Sequence, residues 1–231
     1  MTNEYYHEVL DFGEIELISC MASDLDVVNA AKVSFSSYKK EIDESCVGLI
    51  NFLMKNKHAT PFEHSMFKFR IKAPIFVTRE WMRHRWSSFN EMSMRYHQPE
   101  NIDYYTPSYD KIRKQIGKPG AYSFEEISDP EIKDAFYSIF QQTILQADEA
   151  YYKLIELGVA KEIARCVLPV SQYTEFIWTV NARSLLNFIS LRNDKNAQYE
   201  INEYAKAIEK IFSKKMPITY EAFIKSDRIA I

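Results

Sequence analysis

Glycine is scarce in this chain of 231 residues: there are 5, beside 3 cysteines. So few glycines leave no room for either common Gly-rich phosphate loop. The cysteines, Cys20, Cys46 and Cys166, are odd in number and match no disulfide or zinc spacing. Each reads as a small buried hydrophobe, which suits a reducing cytoplasm. No apolar run approaches the ~20 residues that span a bilayer. The first residues lack the charged start and apolar run of a secretory leader. A membrane protein is therefore not expected. A basic excess is missing too, with 29 Lys and Arg against 32 Asp and Glu, a net charge of −3. That argues against a bulk nucleic-acid binder, although a local basic cluster can still hold an anionic ligand. Repeats, low-complexity tracts and metal-ligand patterns are lacking as well.

What is present is ordinary globular composition, 46% hydrophobic and 26% charged, with aromatics at 14%. The length suits one large domain or two small ones, and a single domain over 1–231 is the expectation. Residues 24–36 and 43–57 carry helical spacing, the second with Asp43 as N-cap and Val47, Ile50, Leu53 and Met54 in phase. Residues 65–72 alternate, with Ser65, Phe67, Phe69 and Ile71 on one side, which predicts a half-buried strand. Pro74 suits the first turn of a helix running through IFVTREWMRHR. Residues 98–128 hold Pro99, Pro107, Gly117, Pro119 and Gly120, so a long loop or insertion is expected. A long helix follows, closed by Gly158, then a short one, AKEIARCVL. YTEFIWTV reads as a second strand. Asn181 can cap ARSLLNFISLR, and Asn196 can cap a last helix with Ile201, Tyr204, Ile208, Ile211 and Phe212 as its apolar stripe. Helices, strand, helices, strand, helices make a mixed α/β (α+β) fold, few strands with many helices, not doubly wound.

The chemistry concentrates in RHRWSSFNEMSMRY, residues 83–96. Its plain reading is a solvated helix end: Glu80 pairs with Arg83 or His84, SFNE is a capping box, and Glu91 pairs with Arg95. Yet Arg79 and Arg83 are like charges four apart on one helix face, which costs a few tenths of a kcal/mol unless offset. Three arginines flanked by Trp86 and Phe89 are what an anionic, aromatic ligand needs. Spacing thus supports a nucleotide or phosphate site and reveals no reaction.

The same stretch resembles the signature of the flavin-dependent thymidylate synthases, R-H-R-x-x-S-x-N-E-x-S-x-R-Y, at nine fixed positions: Arg83, His84, Arg85, Ser88, Asn90, Glu91, Ser93, Arg95 and Tyr96. HATPFEH (58–64), KAPIFVTRE (72–80), IARCVLP (163–169) and WTVNARSLLNFISLR (178–192) are similar to family segments in the family's order; 98–128 matches least.

The resemblance implies that dUMP is converted to dTMP, with methylenetetrahydrofolate as carbon donor and NADPH as reductant through FAD. It implies a homotetramer with sites at subunit interfaces. Carried over position by position, it assigns Arg83, His84 and Arg85 to FAD. Asn181, Ala182, Arg183, Asn187, Thr60 and His58 join them, and Glu91 touches both ligands. To dUMP it assigns Glu80, Arg83, Glu91, Ser93, Met94 through its backbone, Arg95, Arg165 and Arg192. Arg192, against the pyrimidine, is the expected catalytic residue, because a guanidinium beside uracil N3 favours the ionised ring. Its plain alternative is a cation at a helix C-terminus. Many relatives carry Gln where this chain has Glu80; a carboxylate beside the dUMP phosphate would repel it unless held by Arg79 or Arg83. Cys166 reads as packed rather than nucleophilic. Two other readings remain: a catalytically inactive flavin- and nucleotide-binding protein of the same fold, and a single-stranded nucleic-acid module using arginines and aromatics.

Overall fold

A computed structural model describes residues 4–119 and 121–231, so Gly120 of the expected loop lies outside it. In chain order the strands are β1 (Tyr6–Val9), β2 (Gly13–Met21), β3 (Met66–Pro74), β4 (Ser87–Glu91), β5 (Arg113–Lys118), β6 (Ala121–Glu126) and β7 (Tyr173–Asn181). The helices are α1 (Asp24–Lys32), α2 (Glu44–Lys55), α3 (Ile75–Trp81), α4 (Pro130–Glu156), α5 (Lys161–Ala164), α6 (Ala182–Arg192), α7 (Tyr199–Lys215) and α8 (Pro217–Lys225). The chain divides into two compact units, residues 1–92 with 174–231, and residues 93–173.

The first unit is built on a five-stranded sheet ordered β1-β2-β3-β7-β4, with antiparallel pairing of β1 with β2, β2 with β3 and β4 with β7. The alternation expected at 65–72 is seen: Phe67, Phe69, Ile71 and Ala73 are fully buried while Lys68 and Arg70 are exposed. β7 alternates likewise, burying Phe176, Trp178 and Val180. The inward faces meet α6 and α7, whose apolar stripe, Ile201, Tyr204, Ile208, Ile211 and Phe212, is wholly buried. At the centre Trp81 stands edge-on to Trp178, ring centroids 5.3 Å apart, and packs on Phe188 at 4.8 Å. Such aromatic pairs add about 0.5–1.5 kcal/mol each beyond their burial.

Caps follow the sequence in most places. Asp43 accepts from the Cys46 N–H, and Asn181 accepts from the Ser184 N–H at 2.9 Å. Asp24, buried beside the start of α8, accepts from the Ile218 and Thr219 N–H groups and the Thr219 hydroxyl. Asn196 does not cap α7: it bonds Asp194 instead, and Gln198 stands at the cap with its side chain donating to Glu200 rather than accepting from a helix N–H.

In the second unit α4 runs from its cap Asp129 to Gly158, which takes the left-handed conformation at φ +81°. Met94, Tyr151 and Ala164 form its small core. Residues 98–128 are not a loop throughout: β5 and β6 pair as a hairpin, Arg113 opposite Glu126 and Lys114 opposite Glu125. Opposite charges across the strands and Arg113 over the Phe124 ring at 5.1 Å stabilise it. Pro107 and Pro119 lie outside the paired residues, which is why a proline count misread the segment.

Candidate functional site

α3 ends at Trp81, earlier than the apolar pattern suggested. Residues 82–86 then turn away, with the His84 N–H donating to the Trp81 carbonyl at 3.0 Å and the Ser87 hydroxyl to the His84 carbonyl at 2.7 Å. SFNE is no capping box, because Ser88 to Glu91 lie in β4, paired with β7. Phe89 stacks on Trp178 inside the sheet, whereas Trp86 is 85% exposed. The aromatics that flank the arginines therefore part: one packs, the other faces a cleft.

That cleft has a volume of about 1070 Å³. Arg83, His84, Arg85 and Trp86 form one wall, and α6 the other through Arg183, Asn187 and Leu191, which share a face at spacings of four. Asn181, Ser184 and Arg192 complete that side; Glu63 and His64 contribute from the turn before β3. Four arginines against one glutamate make the lining basic, and the N-terminus of α6 adds positive potential.

The expected flavin residues thus divide. Arg83, His84, Arg85, Asn181, Arg183 and Asn187 come together in the cleft. Ala182 is fully buried and its N–H already donates to the Ser65 carbonyl at 2.8 Å. His58 and Thr60 are exposed on the same connection but do not line the cleft; Glu63 and His64 of that segment do. Ser184 and Leu191 were also missed. Counting four and eight residues on from Arg183 would have found Leu191.

Among the expected dUMP residues, Arg192 sits at the α6 end of the cleft. Its Nε donates to His84 Nε2 at 3.1 Å, Nη1 to Glu80 Oε2 at 2.8 Å and Nη2 to the Glu80 carbonyl at 3.0 Å. So Glu80 is held by Arg192, not by Arg79, Arg83 or His84. Burial, and then the Arg192 charge, push the His84 imidazole down to about 4. It is neutral at pH 7, as its role as acceptor requires. Burial is also the largest influence on Glu80 and raises its carboxyl above the usual carboxylate range, with Glu200 adding and Arg192 opposing.

Glu91 does not pair with Arg95. It accepts from the Thr174 hydroxyl at 2.8 Å, while Arg95 Nε meets Glu162 at 2.9 Å. Ser93, Met94, Arg95 and Arg165 belong to the second unit. There Met94 is buried, with Gln172 Nε2 against its sulfur, and Arg165 is exposed where α5 passes into a tighter turn. Cys166 is exposed and Cys20 half-buried, so only Cys46 fits the packed reading. The apolar neighbours of Cys166 misled, because the whole 3₁₀ turn Arg165–Val167 faces outward, Val167 included. Among the described residues no group of His, Cys, Asp and Glu could hold a metal ion, and no helix is long and apolar enough to cross a membrane.

An antiparallel-sheet α+β fold with a basic, aromatic-edged cleft has the features that suit an anionic ligand with a planar ring, as nucleotides have. Comparison with known proteins narrows the class. The family described as thymidylate synthase complementing protein matches residues 16–218, through both units. The flavin-dependent thymidylate synthase of Thermosipho melanesiensis is 47% identical over 220 residues, covering 94% of this chain and 93% of the relative. That of Thermotoga neapolitana is 45% identical over 217 residues, covering 94% and 93%. Among solved structures, the UMP/dUMP methylase PolB from Streptomyces cacaoi bound with 5-Br UMP aligns with a TM-score of 0.86 at 37% identity, over 97% of this chain and 99% of that one. The chain belongs to the flavin-dependent thymidylate synthases, and the α+β fold and the flavin-dependent methylation of dUMP to dTMP expected from its motifs stand.

Proposed function

We propose that this chain carries out the family reaction in full, with FAD in the cleft, NADPH as reductant and methylenetetrahydrofolate as carbon donor to dUMP. The observation that supports the reading is the gathering of Arg83, Arg85 and Arg183 with the exposed Trp86 around one cleft. Guanidinium forks suit a pyrophosphate, and an indole face suits a flat ring. The donors present therefore fit a flavin dinucleotide. When bound, the flavin supplies the hydride chemistry.

The chain's own residues do the rest. Arg83 and Arg85 bind phosphate oxygens. Asn187 and Ser184 offer neutral hydrogen bonds from α6. Arg192 stands against the pyrimidine, where its fixed charge favours loss of the N3 proton and raises electron density at C5, the carbon to be alkylated. Glu91, Ser93, the Met94 backbone, Arg95 and Arg165 bind dUMP in this reading; His58, Thr60 and Ala182 serve the flavin from beside the cleft. Four copies assemble, with sites at subunit interfaces, in the cytoplasm.

Tritium release from 5-labelled dUMP tests the reaction. It should require NADPH and methylenetetrahydrofolate together, and Arg192→Ala should reduce it at least about a hundred-fold, the scale of losing one preorganised charge contact. Release that is absent from a yellow, dUMP-binding protein would favour the inactive binding protein instead. A yellow protein with a flavin spectrum excludes the nucleic-acid module.

A further inference from the structure

Arg192 has five N–H groups, and three are taken. The neighbourhood of Glu80 and His84 takes all three, and Asn202 of α7 holds the Arg192 carbonyl at 3.0 Å. Among the described residues two N–H groups remain without a partner, one on each terminal nitrogen. Their direction is set by where Glu80 puts its carboxylate and its carbonyl. The pair is also sheltered. The side chains of Arg192 and Glu80 are 21% and 29% exposed, against 68% and 70% for the helix-surface pair Lys153–Glu156. An interaction so placed is screened far less than a surface ion pair.

We propose that Glu80 is the positioning residue of Arg192: it aims the two remaining N–H groups at the pyrimidine, and its charge limits how strongly Arg192 favours an anionic ring. The inference rests on the reaction proposed above, and it moves Glu80 from a direct contact with dUMP to action through Arg192. Two anions cannot both take the full benefit of one guanidinium, since each repels the other across it. An ionised uracil at Arg192 therefore meets a cation already balanced by Glu80. The charged groups around Glu80 are Arg192 of α6 and Glu200 of α7, with the neutral but titratable His84 after α3 beside them. A protonated Glu80, or a glutamine, retains a hydrogen-bonding side chain there without the competing charge. The hydrogen bonds of Glu80 thus hold Arg192 in place, while its charge weakens dUMP binding.

The test compares Glu80→Gln and Glu80→Ala in the flavin-loaded protein, measuring kcat, the dUMP KM and flavin absorbance. Glu80→Gln should keep kcat and lower the dUMP KM roughly five-fold, the scale of one partly shielded charge interaction. It should also remove the acid-side change in kcat/KM that titration of Glu80 causes. Glu80→Ala, at equal flavin occupancy, should lower kcat at least about ten-fold through misplacement of Arg192. A Glu80→Ala enzyme with unaltered kcat and KM overturns the proposal. So does a Glu80→Gln enzyme as impaired as the alanine variant, or one with unchanged KM and pH profile. If the alanine variant does not fold, the KM and pH profile of Glu80→Gln decide alone. Failure of the unaltered protein to release tritium would be seen first, and would overturn the reaction itself.

Discussion

Around Arg192 single atoms decide what the site can do. His84 accepts a hydrogen bond from a guanidinium, which only the neutral imidazole can do, and its ring stands edge-on to Phe188 at 5.0 Å. Because its pKa falls from 6.5 unfolded to about 4 folded, the unfolded chain binds more protons between those values. Stability contributed by His84 is therefore present above pH 6.5 and is lost as the pH falls toward 4. Glu80 has the opposite sign: its raised carboxyl binds a proton more readily in the folded state and partly offsets the loss. His84→Gln keeps an acceptor and removes the titration. Urea midpoints at pH 7 and pH 5 should fall less in this variant than in the parent. The difference should be on the order of 1–2 kcal/mol, after allowance for partial exposure. Equal losses would show that His84 does not titrate as described. Only part of this was legible in sequence. Arg192, His84 and Glu80 were each singled out, but their joining was not, because it depends on bringing the end of α6 against the end of α3.

The elements were legible where their period was unbroken. β3 and β7 stood out by alternation, α2 and α4 by cap and period together, and α7 by its apolar stripe alone, its expected cap having failed. β1 and β2 went unread, although Glu14, Ile15, Glu16 and Leu17 alternate. A register shift between Leu17 and Ser19 breaks the period just beyond them. β4 was hidden by its polar composition, which an edge strand tolerates and a helix cap also favours. The hairpin of β1 and β2 turns on Gly13, where an added Cβ would lie 2.0 Å from the Tyr204 hydroxyl and 2.4 Å from the Val9 carbonyl. That hydroxyl donates to the Lys72 carbonyl at 2.7 Å, tying α7 to β3. Gly13→Ala must displace either the turn backbone or this bond. The expected loss is about 2–4 kcal/mol, from overpacking together with a disturbed buried hydrogen bond. A thermal midpoint within about 2 °C of the parent would contradict the account.

At the scale of the whole molecule, much apolar surface has no cover within one chain. Trp86 is 85% exposed, Phe35 82%, Tyr96 78% and Tyr38 75%, and Ile132, Ile139 and Leu145 are exposed along α4. Scattered apolar residues need no explanation, but large aromatics at this exposure mark surfaces that meet a ligand or another chain. In sequence these residues could not be told from core residues, because burial by a partner leaves the same composition as burial by one's own fold. The tetramer proposed above would cover such residues, and it makes a quantitative demand. Light scattering at micromolar concentration should give four times the 27.2 kDa of one chain. If each flavin is bound by more than one subunit, dilution that lowers the mass must release flavin in parallel, since ligand and assembly are linked. Sedimentation followed at the flavin absorbance should show colour only in the heavy species. Flavin that stays with a 27.2 kDa species would mean that one chain's cleft suffices, and the exposed aromatics would then need another partner.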